Sequence, residues 1–198
     1  FMRDQYQSVY GLPEEQLFVT RNGVDLDCVK KVRDRLPTHI TRNPLSLVYS
    51  ASPERGLDVL LLEIMPRILA YEPQAKLFLS TYDNPVDHLA SFYAQCDDFA
   101  KRLGDSVVKL GALTKTQLYE LYHAAGAYVY PPPSTFAPEF DEVSCISVIE
   151  AMACGLPVIT TNFGGQIDYI NNFNGWLIDY ELHEVKHEIM YEGIKWAR

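Results

Sequence analysis

The sequence predicts an α/β domain built as a doubly wound parallel sheet over residues 44–180, and three observations predict it. Short apolar runs alternate with segments whose apolar residues recur at helical spacing. The runs are apolar almost throughout, as expected of strands covered on both faces rather than one. The chain has 198 residues, 47% hydrophobic and 22% charged, which is enough for one domain with a real core and excludes wholesale disorder.

The elements follow in order. Residues 45–50 (Leu-Ser-Leu-Val-Tyr-Ser), bounded by Pro44 and by Ser52-Pro53, read as a strand. Residues 56–71 place Leu57, Leu60, Leu61, Ile64, Ile68 and Leu69 on a helix face. A strand at 76–80 and a helix at 86–103 come next, then a strand at 106–110. Thr114 caps a helix that reaches Ala125, and a strand at 127–130 stops at three prolines. A helix over 143–153 ends at Gly155, and 157–160 reads as a strand. A short helix near 166–170, a strand at 175–178 and an amphipathic tail helix complete the chain. Before this domain, residues 9–22 read as helix, turn and strand, and the polar, Pro37-containing stretch 33–43 as a linker. The division is therefore 1–43 as the end of a preceding domain plus linker, 44–180 as the main domain, and 181–198 as a closing helix.

Seventeen Lys and Arg against 26 Asp and Glu give a formal charge of −9. That balance argues against nucleic acid or an anionic membrane as the main partner, since both reward a basic surface. The four cysteines form no C-x-x-C pair and read as reduced thiols of a cytoplasmic protein. No run reaches 18 uncharged apolar residues, so no transmembrane segment is expected. Phe1-Met2-Arg3-Asp4 is not followed by the apolar stretch of a signal peptide.

The most informative segment runs from Glu142 to Ile159, Glu-Val-Ser-Cys-Ile-Ser-Val-Ile-Glu-Ala-Met-Ala-Cys-Gly-Leu-Pro-Val-Ile. Its two carboxylates, Glu142 and Glu150, lie eight positions apart, which on one helix would be ~12 Å of rise and about 80° of rotation; Glu142 falls in the loop just before the helix and Glu150 lies inside it. A carboxylate inside an apolar stretch needs partners, because burying it alone is expensive. Sugar and ribose hydroxyls suit that need, and the helix start between the two acids offers free N–H groups to a phosphate. Two acids at a fixed gap are also common as plain surface charge, so the surrounding residues decide.

Those residues form a resemblance. The E-x7-E pair, followed by Ala-Met-Ala-Cys-Gly-Leu-Pro-Val-Ile and then by Thr160-Thr-Asn-Phe-Gly-Gly165, is similar to the Rossmann-like donor domain, the C-terminal half of the GT-B fold. It most resembles the retaining enzymes of glycosyltransferase family 4. Residues 49–61 resemble that family's first strand–loop–helix, 108–111 with 118–125 its base-binding region, and 19–25 the end of the acceptor domain.

The resemblance implies roles. Glu142 would hold donor-sugar hydroxyls and Glu150 the ribose, while the amides of Ser144, Cys145 and Ile146 would approach the diphosphate or sugar. Arg55 stands where the family carries a diphosphate-neutralising lysine, and its planar fork suits phosphate oxygens. The family's second cation falls at Ser50, a departure. Leu110 and Gly111 would lie beside the nucleobase, with Gly111 either admitting the base closely or serving as a turn residue. Gly164 and Gly165 either free the backbone near the sugar or shape a turn. The proline-rich stretch from Tyr130 to Asp141, with Phe136, Glu139 and Phe140, is either a lid or a surface insertion.

The implied reaction is transfer of a sugar from a nucleotide-diphosphate sugar to an acceptor hydroxyl with retention. It needs no metal and no cofactor beyond the donor itself. A glycan or other hydroxyl acceptor would be held by an N-terminal domain outside these residues, making the chain one part of a larger enzyme. Two rivals remain: a non-catalytic binding or assembly module, favoured by the loss of a cation at Ser50, and a nucleotide-sugar epimerase.

Several motifs lead elsewhere and are set aside. Asp25-Leu26-Asp27 matches the D-x-D of metal-dependent transferases but follows a turn and reads as surface. Cys96-Asp97-Asp98 reads as a solvated helix end, and His183 and His187 lack a third ligand. No phosphate-binding G-x-x-x-x-G-K-[ST] or post-strand G-x-G-x-x-G occurs.

Overall fold

The computed structural model describes residues 2–37, 40–81, 87–133 and 142–180. The tail helix, the core of the 131–141 stretch with Phe136, Glu139 and Phe140, and His39, His183 and His187 lie outside them.

Six parallel strands form one sheet in the order β3-β2-β1-β4-β5-β6: β1 Asn43–Tyr49, β2 Lys76–Leu79, β3 Val107–Lys109, β4 Ala125–Tyr130, β5 Val158–Thr161 and β6 Gly175–Ile178. This is the doubly wound arrangement that the alternating pattern predicted. The central strands explain why they read as continuous apolar runs: Val48, Tyr49, Leu77, Tyr128, Tyr130 and Val158 are each nearly inaccessible. Burying a side chain of that size contributes about 1.5–3 kcal/mol.

Among the described residues the helices are α1 Met2–Tyr10, α2 Leu26–Arg35, α3 over 57–71, α4 Ala90–Arg102, α5 Lys115–Ala124 and α6 Ile146–Ala153. Helix α3 changes its hydrogen-bonding step midway, with a π-turn over Leu60–Ile64. Thr114 caps α5 as predicted, exchanging bonds with Gln117 in a full capping box.

The N-terminal region departs from expectation. No strand occurs among described residues 17–22, which have no neighbouring strand to pair with. The expected linker instead begins inside α2, whose Asp25 side chain accepts from the Cys28 amide at 3.0 Å. Val29 and Val32, one turn apart, are buried in the main core. The D-x-D acids thus start a helix at the surface.

Helix α6 also begins later than predicted, at Ile146 rather than Val143. Cys145 stays extended at φ −73°, ψ 107°, so the loop expected to hold Glu142 runs on to Cys145, with Glu150 inside the helix as expected.

At the amino side of the sheet, Arg42 donates to the Tyr122, Ala125 and Cys154 carbonyls at 2.5, 3.1 and 2.6 Å. It thereby satisfies orphan carbonyls at the ends of both α5 and α6.

Strands β1 and β4 are neighbours whose crossovers run in opposite directions, so the crevice beyond Tyr49 and Tyr130 is the topological switch point, where open α/β sheets receive ligands. Gly56, at φ +98°, brings the loop after β1 onto the loop after β4; a Cβ there would stand 2.2 Å from the Pro131 carbonyl oxygen.

Candidate functional site

Four tyrosines lie beneath the switch point, and each hydroxyl has a polar partner, as buried phenols require. Tyr49 donates to the Ser52 carbonyl at 2.7 Å, and Tyr128 to Ser147 Oγ at 2.8 Å. Tyr122 lies 2.5 Å from Ser50 Oγ, which also reaches the Tyr128 hydroxyl at 3.4 Å. Tyr130 donates to Glu142 Oε2 at 2.6 Å. Burial raises the pKa of all four, so they act as neutral donors.

Glu142 is buried and held at three points. Besides Tyr130, its Oε1 accepts from the Ser144 amide at 3.1 Å. Its backbone carbonyl accepts from the Gly165 amide at 2.6 Å. That contact needs glycines: Cβ atoms at Gly164 and Gly165 would stand 2.6 Å from the Glu142 carbonyl oxygen and 1.9 Å from that of Val143. The pair therefore presses one turn onto the acidic loop.

Glu150 is buried on α6, where its Oε1 accepts from Lys115 Nζ at 2.5 Å and from the Tyr119 hydroxyl at 2.9 Å. Both partners come from α5, one turn apart.

Of the three amides at the start of α6, that of Ser144 serves Glu142, and that of Cys145 donates to the Tyr169 hydroxyl at 3.2 Å. Ile146 begins the helix, with its side chain about half exposed. The Cys145 thiol is pushed up to about 11, first by burial and then by the Glu142 charge.

Arg55 ends a single turn, Pro53–Arg55, beyond β1 and is half-buried. Ser50 sits at the end of β1, its hydroxyl committed to the two tyrosines.

The remaining candidates are farther along the sheet. The Leu110 amide extends the ladder to the Leu79 carbonyl at 2.8 Å. Gly111, at φ +65°, takes a left-handed turn secured by Ser80 Oγ on its carbonyl at 3.0 Å.

Two clefts flank these residues. One of about 630 Å³ lies between the N-terminal segment and the start of α6, lined by Phe18, Asn22, Val143, Ser144, Gly165 and Tyr169 among others. Asn22 Nδ2 bridges it by donating to the Ser144 carbonyl at 2.8 Å. The other, also about 630 Å³, lies at the ends of β2 and β3 and includes Tyr93, Asp97, Lys109, Leu110 and Gly111. The predicted residues are thus divided, with Ser144 and Gly165 at one cleft and Leu110 and Gly111 at the other.

Among the described residues no three His, Cys, Asp or Glu side chains converge in a way that could hold a metal ion. None of their helices is long and apolar enough to cross a membrane.

Sequence reasoning missed Lys115, Tyr119, Tyr130, Tyr169 and Asn22. The first four look like ordinary surface or core positions until strands and helices distant in sequence meet.

Sheet order, switch-point crevice and buried acids define the class as a Rossmann-like α/β domain of the kind that forms the C-terminal half of GT-B glycosyltransferases. Residues 47–190 match the family described as "Glycosyl transferases group 1", and the chain belongs to that family. It is similar to the lipopolysaccharide 1,2-N-acetylglucosaminetransferase of Salmonella typhimurium, 23% identical over 88% of this chain and 51% of that protein. It is also similar to an uncharacterized glycosyltransferase of Methanocaldococcus jannaschii, 25% identical over 86% of this chain and 43% of that one. The chain spans about half the length of these two relatives.

Among solved structures, Anabaena HepE in complex with UDP-glucose shares the fold with a TM-score of 0.64, at 20% identity over 89% of this chain and 47% of that one. WaaG, a glycosyltransferase involved in lipopolysaccharide biosynthesis, does so with a TM-score of 0.61, at 21% identity over 89% of this chain and 46% of that one.

Proposed function

We propose that the chain is the donor-binding half of a retaining glycosyltransferase, and that it binds a nucleotide-diphosphate sugar at the switch point. The observation that carries this reading is the pair of buried, anchored carboxylates, Glu142 and Glu150, on either side of the start of α6. Family membership supports glycosyl transfer, and the fold shared with a UDP-glucose complex supports a nucleotide-sugar ligand.

In this reading Glu142 accepts hydrogen bonds from the donor sugar and Glu150 from the ribose, while Leu110 and Gly111 border the base. Ser144, Cys145, Ile146 and Gly165 line the path of the diphosphate and sugar, and Ser50 borders it from β1. As the bond from the anomeric carbon to the phosphate oxygen breaks, negative charge gathers on the leaving diphosphate. Arg55 and the α6 N-terminus offset that charge, a task that elsewhere falls to a metal ion. The acceptor, a glycan or another hydroxyl compound, is held by a domain outside this chain, and the enzyme works in the cytoplasm.

Calorimetric titration with UDP, GDP, ADP and their sugars, beside Glu150→Ala, tests the reading. Saturable binding of one nucleotide, weakened in the variant and unchanged by EDTA, is the expected result. A folded chain that binds none of them would overturn it in favour of a non-catalytic module.

A further inference from the structure

Lys115 is the first residue of α5, and a lysine there works against the helix. The N-terminal end is the positive pole, which favours acids and disfavours cations, and the first turn of α5 contains no acid to compensate. The helix start is otherwise held firmly by the Thr114–Gln117 capping box. A residue that breaks a local rule inside a well-made element calls for a reason beyond that element.

The partner of Lys115 lies 35 residues away on α6, where Glu150 Oε1 is 2.5 Å from Nζ. The ion pair is lopsided, with the lysine side chain 61% exposed and the glutamate side chain 7% exposed. A mostly solvated ammonium adds little to stability, so the pair does more to fix a rotamer than to hold the fold. Tyr119 donates to the same oxygen at 2.9 Å, and its ring stacks on that of Tyr122. Two donors from one rigid helix face therefore converge on Oε1. Among the described residues none donates to Oε2. A carboxylate has about four acceptor positions, so pinning one oxygen leaves the other open to a pair of donors.

We propose that Lys115 is a positioning residue of the donor site, which with Tyr119 pins Glu150 through Oε1 and leaves Oε2 to receive the vicinal hydroxyls of a ribose. This rests on the donor-binding reading above. It adds that nucleotide recognition in this chain depends on a cation from α5 that does not itself need to touch the phosphates.

The test compares UDP, GDP and ADP with their 2′-deoxy forms by calorimetry, on wild type, Lys115→Met and Lys115→Arg. Thermal melting confirms that each variant folds. Wild type should favour the ribo form of whichever nucleotide binds by about tenfold, the size of a lost hydrogen bond to a charged group. Lys115→Met should lose that preference along with affinity, and Lys115→Arg should restore it. If a folded Lys115→Met keeps the wild-type preference, Lys115 does not position Glu150 and the proposal fails, with the donor reading intact. Wild-type binding without any ribose preference overturns it equally. Absence of binding by every nucleotide to folded wild type overturns the donor reading itself, and this inference with it.

Discussion

The Tyr130 hydroxyl, at the last residue of β4, donates to Glu142 Oε2 at 2.6 Å, so the end of a central strand sets the position of the acid in the following loop. Burial, and beside it the Glu142 carboxylate, keep Tyr130 protonated, leaving its hydroxyl a permanent donor to the carboxylate. Tyr130→Phe keeps the ring packing and removes only that bond. Affinity for the nucleotide sugar should fall roughly tenfold or more, as for loss of a hydrogen bond to a charged group. The bare nucleoside diphosphate should bind nearly as before. Calorimetry with both ligands checks this, and equal losses for the two would place Glu142 away from the sugar.

Gly165→Ala tests the same loop from its other side. The added methyl would meet the Val143 carbonyl oxygen at 1.9 Å, a distance that forces one of the two segments to move. Since Gly165 also donates to the Glu142 carbonyl, that bond is lost or stretched. The variant should fold with a lower melting temperature and bind nucleotide sugar more weakly. An unchanged affinity would show that the acidic loop does not depend on this contact.

Arg42 is the clearest structural residue outside the site. Its guanidinium meets the Tyr122, Ala125 and Cys154 carbonyls, and an alanine there leaves these acceptors without their donor. Arg42→Ala should cost about 1.5–3 kcal/mol in urea unfolding, the range for hydrogen bonds to a charged group. Arg42→Lys should recover only part, because an ammonium lacks the planar fork.

His123 gives the fold a dependence on acid. It is buried, its Nε2 has no partner, and burial together with Arg42 and Arg33 lowers its pKa below the ordinary 6.5. In the unfolded chain the same imidazole takes up a proton near its ordinary value, so the unfolded state binds more protons as pH falls. Stability is therefore full above pH ~6.5 and declines below it. Melting followed from pH 7.5 to 5.5 should show that decline, and His123→Leu should flatten it.

Much of the sheet was legible from the sequence because β1, β2, β4 and β5 carry short runs of buried or half-buried apolar residues, 47–49, 77–79, 127–130 and 158–159 among them. Helix α5 was legible through Thr114, a local signal with a local partner. Helix α2 was not, since Leu26–Arg35 is dominated by charge and only Val29 and Val32 are buried in it. The start of α6 was misplaced because Glu142 bonds the Ser144 amide and keeps the loop open, a contact that helical spacing cannot reveal. The two acids were found as a pair, but their anchors were not. Tyr119 and Lys115 precede Glu150 by more than 30 residues, and nothing in the intervening sequence marks them as its neighbours.

The bare α-carbon of Gly56 lies against the Pro131 carbonyl, one residue after Arg55. The connections leaving β1 and β4 are therefore fitted to each other like a tongue in a groove. Lengthening one connection alone would draw the arginine away from the crevice or pry the second loop open. The segments after β1 and β4 thus behave as a matched pair, and a donor site transplanted from a homologue would have to bring both.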